Sequence, residues 1–172
     1  MTTRYHAMRR CYEPASVKLI IVAESPPHSG KYFYDPKGSH TEEPLFREMM
    51  RQIEVSCSSK DEGLREFQKR GWILVDATYE QVDKGYSKAQ RDQVIKRDYH
   101  LLRDELTKLT PDRSTPVILI KANVCRLLEA PLMKDKFKVL NDGVRPPFPG
   151  HWGVRKFRET FGALLPDGKP EG

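Results

Sequence analysis

The sequence predicts an α/β fold, a three-layer α/β/α sandwich around a central, mainly parallel four-stranded sheet. Short apolar runs rich in β-branched residues alternate with longer segments of helical period, the pattern of a parallel sheet with crossover helices. The chain has 172 residues, enough for one ordinary domain with a continuous core. We expect residues 1–165 to form that single domain and residues 166–172 to be a polar, disordered tail.

The predicted strands are apolar runs bounded by turn residues. The first, VKLIIVA, stops at Pro26 and Pro27, which cannot continue a hydrogen-bonded ladder. The second, WILV, follows Gly71 and ends at Asp76, and the third, VILI, follows a turn cluster that ends at Pro116. The four segments are residues 17–23, 72–75, 117–120 and, with the weakest pattern, 137–140.

Helices are predicted between and after these strands. Thr41 is the candidate N-cap of the first helix, which continues through apolar residues at helical spacing as far as Ile53. Ser87 and Gln90 match a capping box, so we expect one long helix from there to about Lys108. Shorter helices are expected over residues 62–69 and 123–129, and a final helix over residues 155–165.

Composition excludes several classes of protein. No apolar run approaches the roughly 18 residues that a membrane span needs, and the N-terminal segment lacks the hydrophobic core of a secretion signal. The three cysteines, Cys11, Cys57 and Cys125, are too few and too scattered for a disulfide framework or a four-thiolate metal site. These features favour a cytoplasmic protein without a membrane partner. The 30 Lys and Arg against 24 Asp and Glu give a net charge of +6, which favours an acidic partner such as nucleic acid.

Three irregular segments, residues 24–34, 76–79 and 145–152, directly follow predicted strands. Because the carboxyl ends of parallel strands share one edge of the sheet, the fold predicts that these segments converge on one ligand site. Common catalytic patterns are absent from them. The first segment has two prolines where a phosphate loop needs backbone N–H donors, Ser25 has no Gly-x-Ser-x-Gly context, and no His or Cys pair has metal spacing.

The same segments carry a resemblance to a known family. Ala23-Glu-Ser-Pro-Pro-His28, followed by Phe33, resembles the first motif of the uracil-DNA glycosylase superfamily, and Phe148-Pro-Gly-His-Trp152 resembles the second. Residues 117–123 resemble a later strand-to-helix segment, and the segments keep the family's order over residues 17–165. The resemblance implies a DNA repair enzyme that flips uracil or another deaminated base out of DNA and hydrolyses its N-glycosidic bond with an activated water. It also implies a monomer that needs no metal or other cofactor.

The resemblance further implies roles for individual residues. A carboxylate near the sugar stabilises an oxocarbenium-like transition state and orients water, and an aromatic ring stacks on the flipped base. Trp152 stands where the family places its DNA wedge, and seven Lys or Arg against two Asp give residues 134–158 a net charge of +5. The implied catalytic residues are Glu24, Asp76 and His151; the base-binding residues are Ser25, His28 and Phe33; and the DNA-binding residues are Arg145, Trp152, Arg155 and Lys156.

The chain departs from the family pattern at Ser25, Phe148 and Asp76, and it lacks the cysteines of the branch that Glu24 resembles. Ser25 stands where the best-known branch carries the aspartate that activates water, and Phe148 stands where the second motif usually has a histidine. Glu24 resembles the glutamate of a thermostable iron–sulfur branch, but the four cysteines of that branch are missing. Asp76 occupies the place of the base-reading asparagine.

Asp76 leaves three alternatives open. Uracil presents an N3–H donor beside the O4 acceptor; an Asn side chain satisfies both, whereas an ionised Asp satisfies only the donor. Asp76 therefore reads N3–H alone, acts as the catalytic carboxylate, or selects a base with more donors.

Structural roles are also open at this stage. Phe33 can be a core aromatic, Glu24 a partner in an ion pair, His151 a loop cap, and Trp152 a buried anchor of the last helix. Two other functions fit the same fold: a module that binds nucleic acid without cleaving it, and a hydrolase of free nucleosides or similar small molecules.

Overall fold

The computed structural model describes residues 3–166 and contains a four-stranded sheet in which every pairing is parallel. The strands are β1 (Leu19–Ala23), β2 (Trp72–Asp76), β3 (Pro116–Leu119) and β4 (Lys138–Val139), in the order β2-β1-β3-β4 across the sheet. Each strand begins and ends within two residues of the segment predicted for it, so the predicted α/β fold is confirmed. Most of the predicted tail, residues 167–172, lies outside the described residues.

Helices cover both faces of the sheet and produce the three layers. The alternation of side chains along β1 divides the core, since Leu19 and Ile21 belong to one apolar cluster and Ile20 and Val22 to the other. Residues of α1, α2, α3 and α7 pack on the first face, and residues of α4, α5 and α6 pack on the second. The helices are α1 (Arg4–Arg10), α2 (Pro44–Gln52), α3 (Lys60–Lys69), α4 (Lys88–Arg97), α5 (Tyr99–Leu109), α6 (Ala122–Lys134) and α7 (Val154–Leu164).

The order of the strands opens a crevice at one edge of the sheet. From β1 the chain crosses the first face to β2, and from β2 it returns across the second face, past β1, to β3. The connections after β1 and β3 therefore leave toward opposite faces although the strands are neighbours. Parallel sheets bind ligands at such a point, beyond the carboxyl ends of the strands.

The long helix predicted after Ser87 is instead two helices. The capping box of Ser87 and Gln90 is present as predicted, but α4 ends at Arg97, and Asp98 separates it from α5, which begins at Tyr99. Asp98 accepts a hydrogen bond of 2.7 Å from the Thr78 hydroxyl and also pairs with Arg97. The backbone of Asp98 departs from helical geometry, with φ −88° and ψ 1°, and its contact with Thr78 joins the break to the loop after β2.

Two helix starts also differ from prediction. The expected cap at Thr41 is wrong, because α2 begins at Pro44 and Glu43 is its N-cap. Proline suits a first helical position, where its missing N–H is not needed, and the Glu43 carboxylate pairs with Lys60 instead of capping. Helix α1 was not predicted at all; Thr3 and His6 form a capping box that lacks the usual Glu or Gln.

None of the helices within residues 3–166 is long and apolar enough to cross a membrane.

Candidate functional site

A cavity of about 350 Å³ lies at the carboxyl ends of β1, β2 and β3. This volume is at the lower end of the range for small-molecule sites, roughly 300–1,000 Å³. Four of the residues predicted to form a site line it, namely Glu24, Ser25, Phe33 and Asp76. The predicted convergence of the segments after the first two strands is therefore found.

Several buried polar atoms of the cavity wall have no hydrogen-bond partner within the described part of the chain. Native proteins leave few such atoms, and each one calls for an explanation. Because these atoms surround one cavity, a polar ligand that enters it can satisfy them. They are Ser25 Oγ, Tyr32 Oη, Glu43 Oε2 and Asp76 Oδ2.

The loop between β1 and α2 is held in place by buried polar contacts. Tyr34 Oη accepts a hydrogen bond of 2.7 Å from the backbone N–H of Leu74 on β2. Lys60, fully buried on α3, donates from Nζ to the Tyr32 carbonyl at 2.6 Å and to Glu43 at 2.7 Å. Removing one partner of a buried ion pair typically costs about 3–5 kcal/mol. These contacts therefore fix the loop that carries the aromatic side of the cavity.

Phe33 belongs to both the core and the site. Its ring packs edge-on against Tyr34 and Phe67, with centroids 5.0 and 5.2 Å apart, and it also contacts Phe46. It lines the cavity as well. The two readings of Phe33 are thus compatible, because the ring is fixed by its core neighbours and can present a rigid apolar surface to a ligand.

Glu24 is buried and surrounded by cationic and amide donors. Lys121 donates to its Oε1 at 2.5 Å, Asn123 donates to its Oε2, and Arg91 Nη1 lies 3.9 Å from Oε2. A buried carboxylate stays charged only with such partners. Sequence reasoning assigned no role to these three partners. The available signal was Lys-Ala-Asn directly after the third strand, within the segment that resembles the glycosylase superfamily.

Lys121 has a backbone conformation that is costly for a residue with a side chain. Its φ is 75° and its ψ is 134°, at the point where β3 passes into α6. Such conformations cost of order 1–3 kcal/mol and concentrate at functional sites. Two contacts hold Lys121 there, the ion pair with Glu24 and a hydrogen bond of 2.7 Å from its backbone N–H to the Pro146 carbonyl. Lys121 also lines the cavity.

Asp76 ends β2 beside Ala23, the last residue of β1, and its side chain is almost completely buried. No ion pair to Asp76 exists among residues 3–166. Burial above all, together with the negative charges of Glu105 and Glu24, raises the pKa of Asp76 from the ordinary 3.8 to about 8, although the charge of Arg9 acts to lower it. Asp76 therefore holds a proton at neutral pH and is no general base there.

A second polar cluster lies behind Asp76, on the side of α1. Arg9 donates to Glu105 and, at 2.8 Å, to the Tyr79 hydroxyl, which itself donates to Glu105 at 3.1 Å. His6 Nε2 lies 3.4 Å from the same carboxylate. This cluster was not predicted, because α1 itself has no clear signal in the sequence. It matters to the site because Glu105 and Arg9 set the electrostatic surroundings of Asp76.

The two histidines predicted for the site do not line the cavity. His28 is exposed, and its backbone N–H bonds the Asp83 carboxylate at 3.0 and 3.1 Å. His151 is exposed too, and its ring meets that of Trp152 edge-on at 5.0 Å. The catalytic constellation expected to include His151 is therefore not assembled around this cavity.

The segment of the second motif forms an exposed rim. Trp152 is 93% exposed, so it is not the buried anchor that was one alternative. Phe148, 44% exposed, lines the cavity and links it to this rim. Arg145, Arg155 and Lys156 are all exposed. Arg158, by contrast, is paired at 2.8 Å with the buried carboxylate of Glu48, so it contributes less to the basic surface than its sequence position suggests.

Within residues 3–166, no group of three or more His, Cys, Asp or Glu side chains is placed to hold a metal ion.

Comparison of the chain with protein-family models, with curated proteins and with solved structures finds no match.

The buried Asp76 should make the stability of the protein depend on pH. The folded state keeps the Asp76 proton up to about pH 8, whereas the unfolded chain loses it near its ordinary 3.8. The folded state therefore loses stability as pH rises between these values, by up to about 1.4 kcal/mol per pH unit. Asp76→Asn removes this dependence. We expect the variant to gain roughly 2–3 kcal/mol relative to the wild type between pH 5 and pH 7, measured by denaturant unfolding.

Asp104→Asn is the matched control, because Asp104 is an exposed carboxylate on α5. Its effect should be the same at both pH values. An equal response to pH in wild type and Asp76→Asn would show that Asp76 is ionised in the folded protein.

At Lys121 a glycine variant should be more stable than an alanine variant, the reverse of the usual order. Lys121→Ala and Lys121→Gly both remove the ammonium, but only glycine adopts the observed φ and ψ without strain. We expect the glycine variant to unfold with a free energy about 1–3 kcal/mol larger than the alanine variant. At Lys134, at the other end of α6, the alanine variant should be the more stable of the pair. The same order at both positions would mean that Lys121 is unstrained.

Proposed function

We propose that this protein is a DNA glycosylase that accepts uracil or another deaminated base flipped out of DNA and hydrolyses its N-glycosidic bond with water. The order of three groups along the sheet edge supports this proposal. Strand order β2-β1-β3 places the neutral acid Asp76, the anion Glu24 and the cation Lys121 side by side. A flipped nucleotide presents three complementary groups in the same order, namely a polar base edge, a sugar that becomes cationic, and a phosphate.

The base occupies the part of the cavity between Phe33 and Asp76. Phe33 provides the apolar surface on which a planar ring stacks. Ser25 Oγ and Tyr32 Oη, both buried and without partners among the described residues, bond the polar atoms of the base. When no base is bound, these two buried hydroxyls make no hydrogen bond, which is energetically costly. The site therefore favours a ligand with several polar atoms on its edges.

Glu24 acts on the sugar. When the bond between C1′ and the base nitrogen breaks, its electron pair leaves with the base and C1′ becomes part of an oxocarbenium-like sugar. A buried carboxylate beside that carbon stabilises the positive charge and can orient the water that adds to it. Both Glu24 oxygens already accept one hydrogen bond, and each has a second lone pair for this water.

Lys121 supports this step through its ion pair with Glu24. Its ammonium keeps the buried Glu24 charged before the substrate arrives. Its backbone N–H bonds the carbonyl of Pro146, the residue after Arg145 of the basic rim, where a phosphate of the nucleotide enters. The strain at Lys121 is then the cost of placing this charge at the switch point between β1 and β3.

The rim binds the DNA around the flipped nucleotide. Trp152 extends almost completely into solvent and can fill the gap that the base leaves in the stack. Arg145, Arg155 and Lys156 supply phosphate contacts. We assign His151 to this rim, beside Trp152, rather than to the departing base. A hydrolase of free nucleosides would leave this exposed aromatic rim without a role.

A binding module is the second candidate, and one observation favours it. Both oxygens of Glu24 are engaged by Lys121 and Asn123, the arrangement of a structural ion pair as well as of a poised carboxylate. Such a module would bind a flipped base without releasing it. The experiment below separates the two functions, because it measures binding and product formation on the same DNA.

Base release tests the proposal directly. Duplex oligonucleotides that contain uracil, hypoxanthine or xanthine are incubated with excess protein, and cleaved strands are counted after alkaline treatment. We expect release of at least one base, and a fall of about 10²-fold or more in Glu24→Gln, which keeps the shape but loses the charge. Glu66→Gln, which removes a partly exposed carboxylate of α3, should match the wild type.

No release of any base by the folded protein would overturn the enzyme proposal. Salt-dependent binding of the same duplexes without release would favour the binding module.

Trp152→Ala tests the wedge. We expect it to weaken binding to a uracil-containing duplex by about tenfold or more and to affect single-stranded substrate much less, because only a duplex has a gap to fill. The free energy of unfolding should stay within about 0.5 kcal/mol, since the side chain is exposed. Leu101→Ala, which removes another exposed apolar residue, should leave DNA binding unchanged. Equal losses on both substrates would assign Trp152 a role other than the wedge.

A further inference from the structure

Asp76 is a buried carboxyl group that forms no ion pair with any cation of residues 3–166. Its Oδ2 has no hydrogen-bond partner and no ion pair reaches it within residues 3–166, yet it lines the cavity. A lone carboxylate in such surroundings is so costly that the group takes up a proton instead. This geometry alone favours the neutral acid.

The groups packed around Asp76 reinforce this state. Glu105 on α5 and Glu24 after β1 bring negative charge toward it, and Arg9 on α1 is the cation that opposes them. Arg9, however, is itself engaged by Glu105 and Tyr79. Tyr32, Tyr34 and Tyr79 also face the carboxyl, and burial keeps their hydroxyls neutral.

We propose that Asp76 reads the flipped base as a neutral carboxylic acid, donating one hydrogen bond through its O–H and accepting another through its C=O. This inference rests on the proposed function and names the chemistry of its substrate. A neutral acid has a donor and an acceptor side by side in one plane, as the side chain of asparagine has. The difficulty that an ionised aspartate poses for uracil therefore disappears.

This pairing restricts the edge of the base that Asp76 can contact. Asp76 selects a base edge on which one donor stands next to one acceptor, such as N3–H and O4 of uracil, or N1–H and O6 of hypoxanthine. An edge with two adjacent acceptors or two adjacent donors leaves one carboxyl atom unpaired in the buried site, which is costly. The role of general base is then excluded for Asp76 at neutral pH, and Glu24 is the carboxylate that meets the water.

The first experiment observes the proton directly and needs no substrate. The side-chain carboxyl signals of ¹³C-labelled aspartate are followed by NMR as a function of pH. We expect one carboxyl that titrates near pH 8 and is missing in Asp76→Asn. In Glu105→Gln, which removes the neighbouring negative charge with little change of shape, this titration should move to lower pH.

The second experiment measures recognition across the same pH range. The probe is a duplex that contains one 2′-fluoro-2′-deoxyuridine, whose glycosidic bond resists cleavage, and binding is followed by fluorescence anisotropy. If only the neutral acid binds, the apparent Kd should rise about tenfold between pH 6.5 and pH 9. In Asp76→Asn, whose amide keeps its donor and acceptor at every pH, the ratio of the two Kd values should reflect the probe alone and stay well below that of the wild type. Asp104→Asn removes an exposed carboxylate on α5 and should keep the tenfold ratio.

The outcomes separate the two proposals. The absence of any aspartate that titrates above about pH 6.5 overturns the neutral acid, whatever the protein does to DNA. A titration near pH 8 with equal pH dependence in wild type and Asp76→Asn overturns the reading role and leaves the glycosylase proposal intact. No binding of the probe at any pH overturns both, since the reading role rests on DNA recognition. The probe's own N3–H ionises equally in every variant, so the comparison isolates Asp76.

Discussion

The unpaired burial of the Asp76 carboxyl is the constraint on which the candidate site depends. It follows from position: Asp76 ends a strand that is buried along its whole length, and α1 and α5 close the space behind it. Because Asp76 is neutral, the two neighbouring carboxyl groups can have different roles. Asp76 carries a proton and can donate, while Glu24, one strand away, is paired with cations and remains an anion.

The surroundings of the cavity show that the fold gives up stability there. Lys121 is held in a strained backbone conformation, and several polar atoms of the wall lack partners within residues 3–166. Neither feature helps the protein to fold. Both features are explained if a polar ligand completes the site. The strained parts are held in place by rigid surroundings, namely the buried Lys60–Glu43 pair and the aromatic cluster around Phe33.

The sequence was a good guide to the sheet and a partial guide to the site. Apolar runs with β-branched residues located three strands, and the weaker segment 137–140 located the fourth. The polar residues after two of the strands, Glu24 and Asp76, do meet at one cavity. The second motif could not be placed in the same way, since its loop returns to the cavity only through Phe148 and leaves His151 outside. Lys121 was missed because a φ angle is not readable from residue types. The protonation of Asp76 was missed because it depends above all on burial in the folded protein, and then on Glu105 and Arg9, which are distant in the chain.

A crystal structure of the protein with a duplex that contains 2′-fluoro-2′-deoxyuridine tests the central claim most directly. We expect the uracil ring to lie against Phe33, with N3 and O4 each within about 2.7–3.2 Å of one Asp76 oxygen. We also expect Glu24 beneath the sugar and Trp152 in the gap of the stack. A uracil that remains stacked in the duplex, or one that enters the cavity without contacting Asp76, would contradict the claim that a neutral acid reads a flipped base.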